Sequence, residues 1–293
     1  MPETNTEQWT TRRLLSWLTE RFESNEIESP RLISEMLLTH VLGGQRIDLY
    51  ANVDRIATDA ERETLRSFVK RTLEHEPVQY IVGNTWFYGM EFHVDSSTLI
   101  PRTCTEAIVE QTLHYAALSA SSPTLIADIG TGTGCIAITI AANLDDCEIV
   151  ASDISKDAIQ LAEKNANKHG VQNRISFLEG DGLNPHASLP PFDIICSNPP
   201  YIPDSEMTAL DPNVGKWEPK LALSGGKDGL DVLKPLIENA SKSLVQGGVL
   251  LLEIASSTKD TCLELAKLNP ALQEPTILRD RFGDDRFLRA IKC

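Results

Sequence analysis

Positive charge is in short supply in this chain: 27 lysines and arginines stand against 42 aspartates and glutamates, a net charge of −15. Such a chain is poorly suited to gripping a phosphate backbone by counterion release, although a local basic patch is compatible with it. The six cysteines, Cys104, Cys135, Cys147, Cys196, Cys262 and Cys293, are scattered and form no C-x-x-C pair. The six histidines form no H-x-x-x-H pair and none stands beside a cysteine at ligand spacing, so no metal is expected. There is no apolar run long enough to span a bilayer, no signal peptide and no arginine-rich transit segment. The cysteines are therefore expected to be reduced thiols in a cytoplasmic protein. Aromatic residues make up only 6% of the chain, which gives weight to any place where they cluster. At 293 residues there is room for two domains, or for one large domain with an extension.

What the chain does have is Ser197-Asn198-Pro199-Pro200-Tyr201, directly after the apolar run Phe192-Asp193-Ile194-Ile195-Cys196. The run reads as a buried strand, which must stop where two consecutive prolines remove two N–H donors. Prolines hold φ near about −65°, so the Asn198 side chain and the Pro199 carbonyl are aimed from a stiff strand end. Two such acceptors suit a planar –NH2 group, with the ring of Tyr201 covering its flat face. The nitrogen of an amide or aromatic amine is a poor nucleophile because its lone pair is delocalised. Holding both of its hydrogens aims that lone pair at an electrophile. The plainer alternative is a proline-terminated strand with an incidental Asn and Tyr.

Residues 6–76 carry apolar positions at spacings of three and four: Leu14, Leu15, Trp17, Leu18 and Phe22, then Leu32, Ile33, Met36, Leu37 and Val41. Ser29-Pro30 is read as an N-cap with proline at the first helical position, Thr58-x-x-Glu61 as a capping box, and Gly43-Gly44 as helix-ending punctuation. A bundle of three or more helices over residues 1–76 is expected. Residues 77–98, with Tyr80, Ile81 and Val82 followed by Trp86, Phe87 and Tyr88 and then Phe92 and Val94, read as a packed β-hairpin connector. Ile100-Pro101-Arg102 should open a helix through about Leu118. Strands and helices then alternate: strands over 125–129, 148–152, 174–179, 192–197 and 247–254, and helices over 135–144, 155–169, 230–244 and 258–268. A closing antiparallel hairpin of 275–278 with 286–291 completes a mostly parallel seven-stranded α/β sheet covered on both faces, spanning 99–293.

Asp128-Ile129-Gly130-Thr131-Gly132-Thr133-Gly134 lies at a strand-to-helix turn, where bare backbone lets a ligand approach. A dinucleotide fingerprint needs a further glycine or alanine three positions after the second, and Cys135 stands there. The tighter spacing suits a methionine-and-ribose ligand with no pyrophosphate. Asp153, ending the second strand, is placed to accept from both ribose hydroxyls, and Asp181, followed by Gly182, to accept from an adenine amino group. All of these features sit at carboxyl ends of one parallel sheet, where open α/β folds bind ligands.

With both motifs in hand, the chain resembles the class I S-adenosylmethionine-dependent methyltransferases, a Rossmann-like fold. Asn198-Pro199-Pro200-Tyr201 resembles the signature of those that methylate planar nitrogen. Glu76 to Ile81, Leu99 to Arg102, Asp128 to Gly134, Ser197 to Ile202, Trp217-Glu218-Pro219 with Ala222-Leu223, and Asp280 to Gly283 are similar to the HemK/PrmC-type release factor glutamine methyltransferases. The helical front shares the likeness through Leu37-Leu38-x-His40-Val41-Leu42. The resemblance implies S-adenosyl-L-methionine as cofactor, held by Asp128, Gly130 to Gly134, Asp153, Asp181, Gly182 and Asn198. It implies bacterial peptide chain release factors as substrate, methylated at N5 of the glutamine in their Gly-Gly-Gln tip and so modulated in translation termination. Asn198, Pro199 and Tyr201 would be catalytic, with Pro200 completing the substrate contact and the helical domain docking the release factor. A monomer that binds neither nucleic acid nor membrane is expected. One departure stands out: Thr103-Cys104 occupy the place where the family usually carries proline and an acidic residue before Thr105-Glu106. An adenine N6 methyltransferase would need a basic groove, and a non-catalytic binder of release factor or ribosome would have no use for intact Asn198, Asp153 and Gly132.

Overall fold

A computed structural model describes residues 8–293. The chain forms two compact units, one comprising the chain up to Gly83 together with Pro212–Trp217, the other Asn84–Asp211 and Glu218–Cys293.

The first unit is helical: α1 (Thr11–Glu23), α2 (Pro30–Leu42), α3 (Arg46–Ala51), α4 (Asp59–Leu73) and α5 (Val78–Val82). Thr10 caps α1 by accepting from the N–H of Arg13, and Thr58 and Glu61 form a reciprocal capping box on α4. Helix α2 does begin at Pro30, but Ser29 lies in the left-handed region at φ 50° and makes no side-chain cap bond. Only its carbonyl contributes, accepting from Ile33 N at 3.1 Å. Leu18, Phe22, Leu37, Leu38 and Leu65 fill the core. Glu35 is buried on α2, where Arg31, Arg46 and the Tyr50 hydroxyl all donate to its carboxylate. Burial works against its charge, but these donors outweigh it and hold the Glu35 pKa below the ordinary carboxylate value.

Val78–Val82 is a helix, not the first strand of a hairpin. The β-branched run suits a strand by propensity, but Pro77 precedes it, Gly83 ends it at φ 74°, and Val78, Ile81 and Val82 bury into the helical core. The hairpin is confined to β1 (Asn84–Phe87) and β2 (Met90–His93), turning at Tyr88 and Gly89, both with positive φ.

The second unit continues with α6 (Glu106–Ala116), β3 (Thr124–Ile129), α7 (Cys135–Asn143), β4 (Cys147–Asp153), α8 (Lys156–Lys168), β5 (Ile175–Glu179), β6 (Phe192–Ser197), β7 (Leu244–Glu253), β8 (Leu272–Arg279) and β9 (Asp285–Lys292). Helix α6 starts later than Ile100, because Ile100 to Arg102 are tied elsewhere, as described below. The seven-stranded sheet has the order β5-β4-β3-β6-β7-β9-β8, parallel from β5 to β7 and antiparallel at β9 and β8. Alternate residues of a strand serve opposite faces: Ile126 joins the core under α6 and α7, while Ala127 and Ile129 join that under the helices Leu233–Ser243 and Lys259–Leu268. The order reverses between β3 and β6. That switch point opens a crevice at the carboxyl ends of the strands.

Candidate active site

Strand register brings the two sequence motifs to one level. Ile129 pairs with Ser152 of β4 on one side and with Ser197 of β6 on the other. The glycine loop, Asp153 and Asn198 therefore leave the sheet side by side. Ser197 Oγ donates to the carbonyl of Ile129 at 2.6 Å and joins the two central strands at this end.

The glycine loop is held from below and bare above. Gly130 N and Thr131 N both donate to Ser152 O, at 2.8 and 2.9 Å. Gly130 and Gly132 have φ of 72° and 56°, and a Cβ on either would meet no atom within 4 Å. Gly134 differs: a Cβ there would lie 2.7 Å from Ile138 Cδ1, so its bareness serves helix packing. Asp153 accepts from Gly132 N and Ser155 N, both at 2.9 Å, and burial raises its pKa against those two donors.

Asp128 is wholly buried, with Oδ2 accepting from Thr131 Oγ1 at 2.7 Å and Ala137 N at 3.2 Å. Its Oδ1 has no partner among the described residues. Burial pushes its pKa up to about 7 in spite of those two donors.

Asn198 is half-buried at the end of β6, and its Nδ2 donates to Thr105 Oγ1 at 3.1 Å. Thr105 in turn donates to Glu253 Oε2 at 2.8 Å, and Tyr201 OH donates to Glu253 Oε1 at 3.1 Å. Glu253 ends β7, fully buried; burial raises its pKa, opposed by Thr105, Tyr201, the charge of Arg286 and the thiol of Cys104. The Tyr201 phenol is pushed up as well, first by burial and then by the charge of Glu253.

A cavity gathers most of these groups. Gly130 to Thr133, Asp153, Gly180 to Gly182 and Asn198 to Pro200 line it, with Leu99, Pro101 and Leu221 among its apolar wall. Glu218 fastens that wall: its carboxylate accepts from Arg102 Nη2 at 2.6 Å and from Ile100 N at 3.3 Å. Three expected residues stand back from the cavity. Asp128 and Gly134 lie behind the loop, and Tyr201 is turned toward Glu253. Thr105 stands in a family motif but without an expected role, and Glu253 in none, yet a lone carboxylate closing the run Val249-Leu250-Leu251-Leu252-Glu253, at the same sheet end as Asn198, is a readable signal. Among the described residues no cluster of His, Cys, Asp and Glu is arranged to hold a metal ion.

The family models divide the chain in a corresponding way: residues 13–83 match the PrmC N-terminal domain and 111–211 the methyltransferase small domain. The release factor glutamine methyltransferase of Rhodopirellula baltica is 37% identical over 300 residues, covering 100% of both chains. The chain belongs to the release factor glutamine methyltransferase family. The member from Chlorobaculum tepidum is 41% identical over 261 residues, 87% of each chain. That from Geobacter sulfurreducens is 40% identical over 257 residues, 88% of each. Among solved structures, the hMettl16 catalytic domain aligns at a TM-score of 0.55 and 14% identity, covering 82% of this chain and 84% of that one, a likeness of fold.

Proposed function

We propose that this family member transfers a methyl group from S-adenosylmethionine to the side-chain N5 of the glutamine in the Gly-Gly-Gln motif of peptide chain release factors. The observation that carries the reading is the placement of Asn198 and Pro199 on the wall of the same cavity as the glycine loop and Asp153. The residues present fit the cofactor. Gly130 and Gly132 leave space that a side chain would fill, and the half-buried Asp153 keeps acceptor capacity beyond its two backbone donors for a pair of ribose hydroxyls. Asp181 and Gly182 line the same cavity and would meet the adenine end.

When bound, the cofactor supplies an electrophilic methyl group on a cationic sulfur. The chain's own part is orientation and exclusion of water. With Asn198 Nδ2 engaged by Thr105, its Oδ1 is left to accept one hydrogen of the substrate amide, and the Pro199 carbonyl accepts the other. The amide lone pair is then aimed across the cavity. A neutral amide attacking a cation disperses charge in the transition state, so an apolar wall of Pro199, Pro200, Pro101 and Leu221 favours the reaction and alignment contributes the rest. No side-chain general base is needed: Glu253 is committed to Thr105 and Tyr201, and the amide proton, made acidic by methylation, passes from the carbonyl acceptors to solvent water. The helical unit contributes recognition of the release factor.

Methyl transfer from labelled S-adenosylmethionine to an intact release factor tests this. Label should enter the wild-type factor and not one whose Gly-Gly-Gln glutamine is replaced by asparagine. Equal labelling of both would remove the assignment.

A further inference from the structure

An asparagine can serve as an acceptor only if its amide faces the right way. The two ends of the Asn198 amide are nearly the same size, and rotating the group by half a turn would present hydrogens to the substrate instead of a lone pair. Something must therefore select the orientation.

The selecting contact is Thr105 Oγ1, which accepts from Asn198 Nδ2 at 3.1 Å. A hydroxyl is ambiguous by itself, since it can donate or accept. Its direction is set one step further on, where it donates to Glu253 Oε2 at 2.8 Å. Every group reaching Glu253 can donate to it: Thr105, Tyr201 at 3.1 Å and the Cys104 thiol at 3.9 Å, with Arg286 supplying positive charge nearby. These donors and that charge favour the ionised carboxylate, which can only accept, and work against the burial that raises its pKa. The hydrogen of Thr105 is thus drawn away from Asn198, leaving a lone pair that only the amide's NH2 side can satisfy.

We propose that Glu253 is a positioning residue, acting through Thr105 to hold the Asn198 amide with its oxygen facing the substrate. The same carboxylate anchors the Tyr201 hydroxyl and so ties both ends of the Asn198-Pro199-Pro200-Tyr201 turn to the end of β7. This rests on the proposed role of Asn198 as acceptor, but the orientation itself is measurable without any substrate.

Glu253→Gln is the decisive variant, because it keeps size and the Tyr201 contact while replacing one acceptor oxygen with an NH2. That NH2 donates to Thr105 and frees the threonine hydrogen to turn toward Asn198, so the amide can be held in either sense. Thr105→Val removes the hydroxyl at nearly constant volume, and Thr105→Ser restores it. Proton–nitrogen NMR of the cofactor-free chain labelled at asparagine reads the orientation directly. Wild type and Thr105→Ser should show Overhauser contacts from the Asn198 amide hydrogens to the β-hydrogens of residue 105. Glu253→Gln and Thr105→Val should lose or halve them. In the methylation assay, Glu253→Gln should lower kcat by roughly tenfold to a hundredfold while leaving cofactor affinity and the melting temperature near wild type. Unchanged amide contacts in a folded Glu253→Gln chain would overturn the proposal. If the contacts change as expected but the wild-type chain methylates no glutamine, it is the assigned substrate that falls and not the positioning.

Discussion

Gly132 N donates to Asp153 Oδ2 at 2.9 Å, so the crest of the glycine loop and the end of the neighbouring strand are held as one piece. In the proposed function the same carboxylate that supports the loop would offer its remaining lone pairs to the cofactor ribose. Asp153→Ala removes both functions, and its cost should appear in cofactor affinity. Loss of hydrogen bonds to a charged acceptor predicts about a 10- to 100-fold weaker Kd for S-adenosylmethionine. Isothermal titration measures this, and an unchanged Kd would remove Asp153 from the binding site.

The glycines of the loop divide by what their missing side chains would strike. Gly132→Ala places its methyl in open space, so it should yield a folded chain with poor cofactor binding and a stability loss of about 1 kcal/mol from the left-handed backbone. Gly134→Ala drives a methyl to 2.7 Å from Ile138 Cδ1 and 3.1 Å from Ala162 Cβ, and should cost about 2–4 kcal/mol by adding overpacking to the same strain. Denaturant melts of the two variants, run beside cofactor titrations, separate the effects. Equal destabilisation of both would contradict this division.

Asp128 makes stability depend on pH in a particular direction. Its carboxyl titrates at about 7 in the folded chain against an ordinary 3.8, so the folded state binds its proton more tightly than the unfolded one. The stabilisation from this group is complete below the unfolded value and is lost as pH rises through about 7. Asp128→Asn carries no titrating proton and should flatten that part of the stability profile. Urea midpoints across the window for both chains test this; parallel profiles would show that Asp128 does not titrate there.

Glu35 in the helical unit runs the other way. Its folded pKa is held below the ordinary value, so its contribution is present above the unfolded pKa and disappears as pH falls through the folded one. Glu35→Gln leaves Arg31 and Arg46 without an ionised partner and should cost about 1–3 kcal/mol at neutral pH, the loss shrinking toward acid. Hydrogen exchange localised to α2 and α3 would follow it. A variant as stable as wild type at neutral pH would mean that these contacts contribute nothing net.

Much of this was legible because its causes are local. The alternation of strands and helices, the capping box at Thr58 and Glu61, the proline stop at Pro199 and the glycine turn at Gly130 each act within a few residues, and each stands where the pattern puts it. Where tertiary context overrides propensity, the reading failed. Val78 to Val82 has the composition of a strand, but its apolar faces are used up by a helical core. Helix α6 waits until Glu106 because Ile100 and Arg102 are bound by Glu218, far along the chain. The same distance hid half of the candidate site. Glu253 reaches Thr105 across 148 positions of sequence, and no spacing rule connects them.

The most direct test of the account is tandem mass spectrometry of a release factor after incubation with S-adenosylmethionine and either this chain or its Asn198→Ala variant. A single added methyl on the Gly-Gly-Gln glutamine is expected with the wild-type chain and little or none with the variant. Cofactor binding by the wild-type chain without modification of that glutamine, or equal modification by Asn198→Ala, would contradict it.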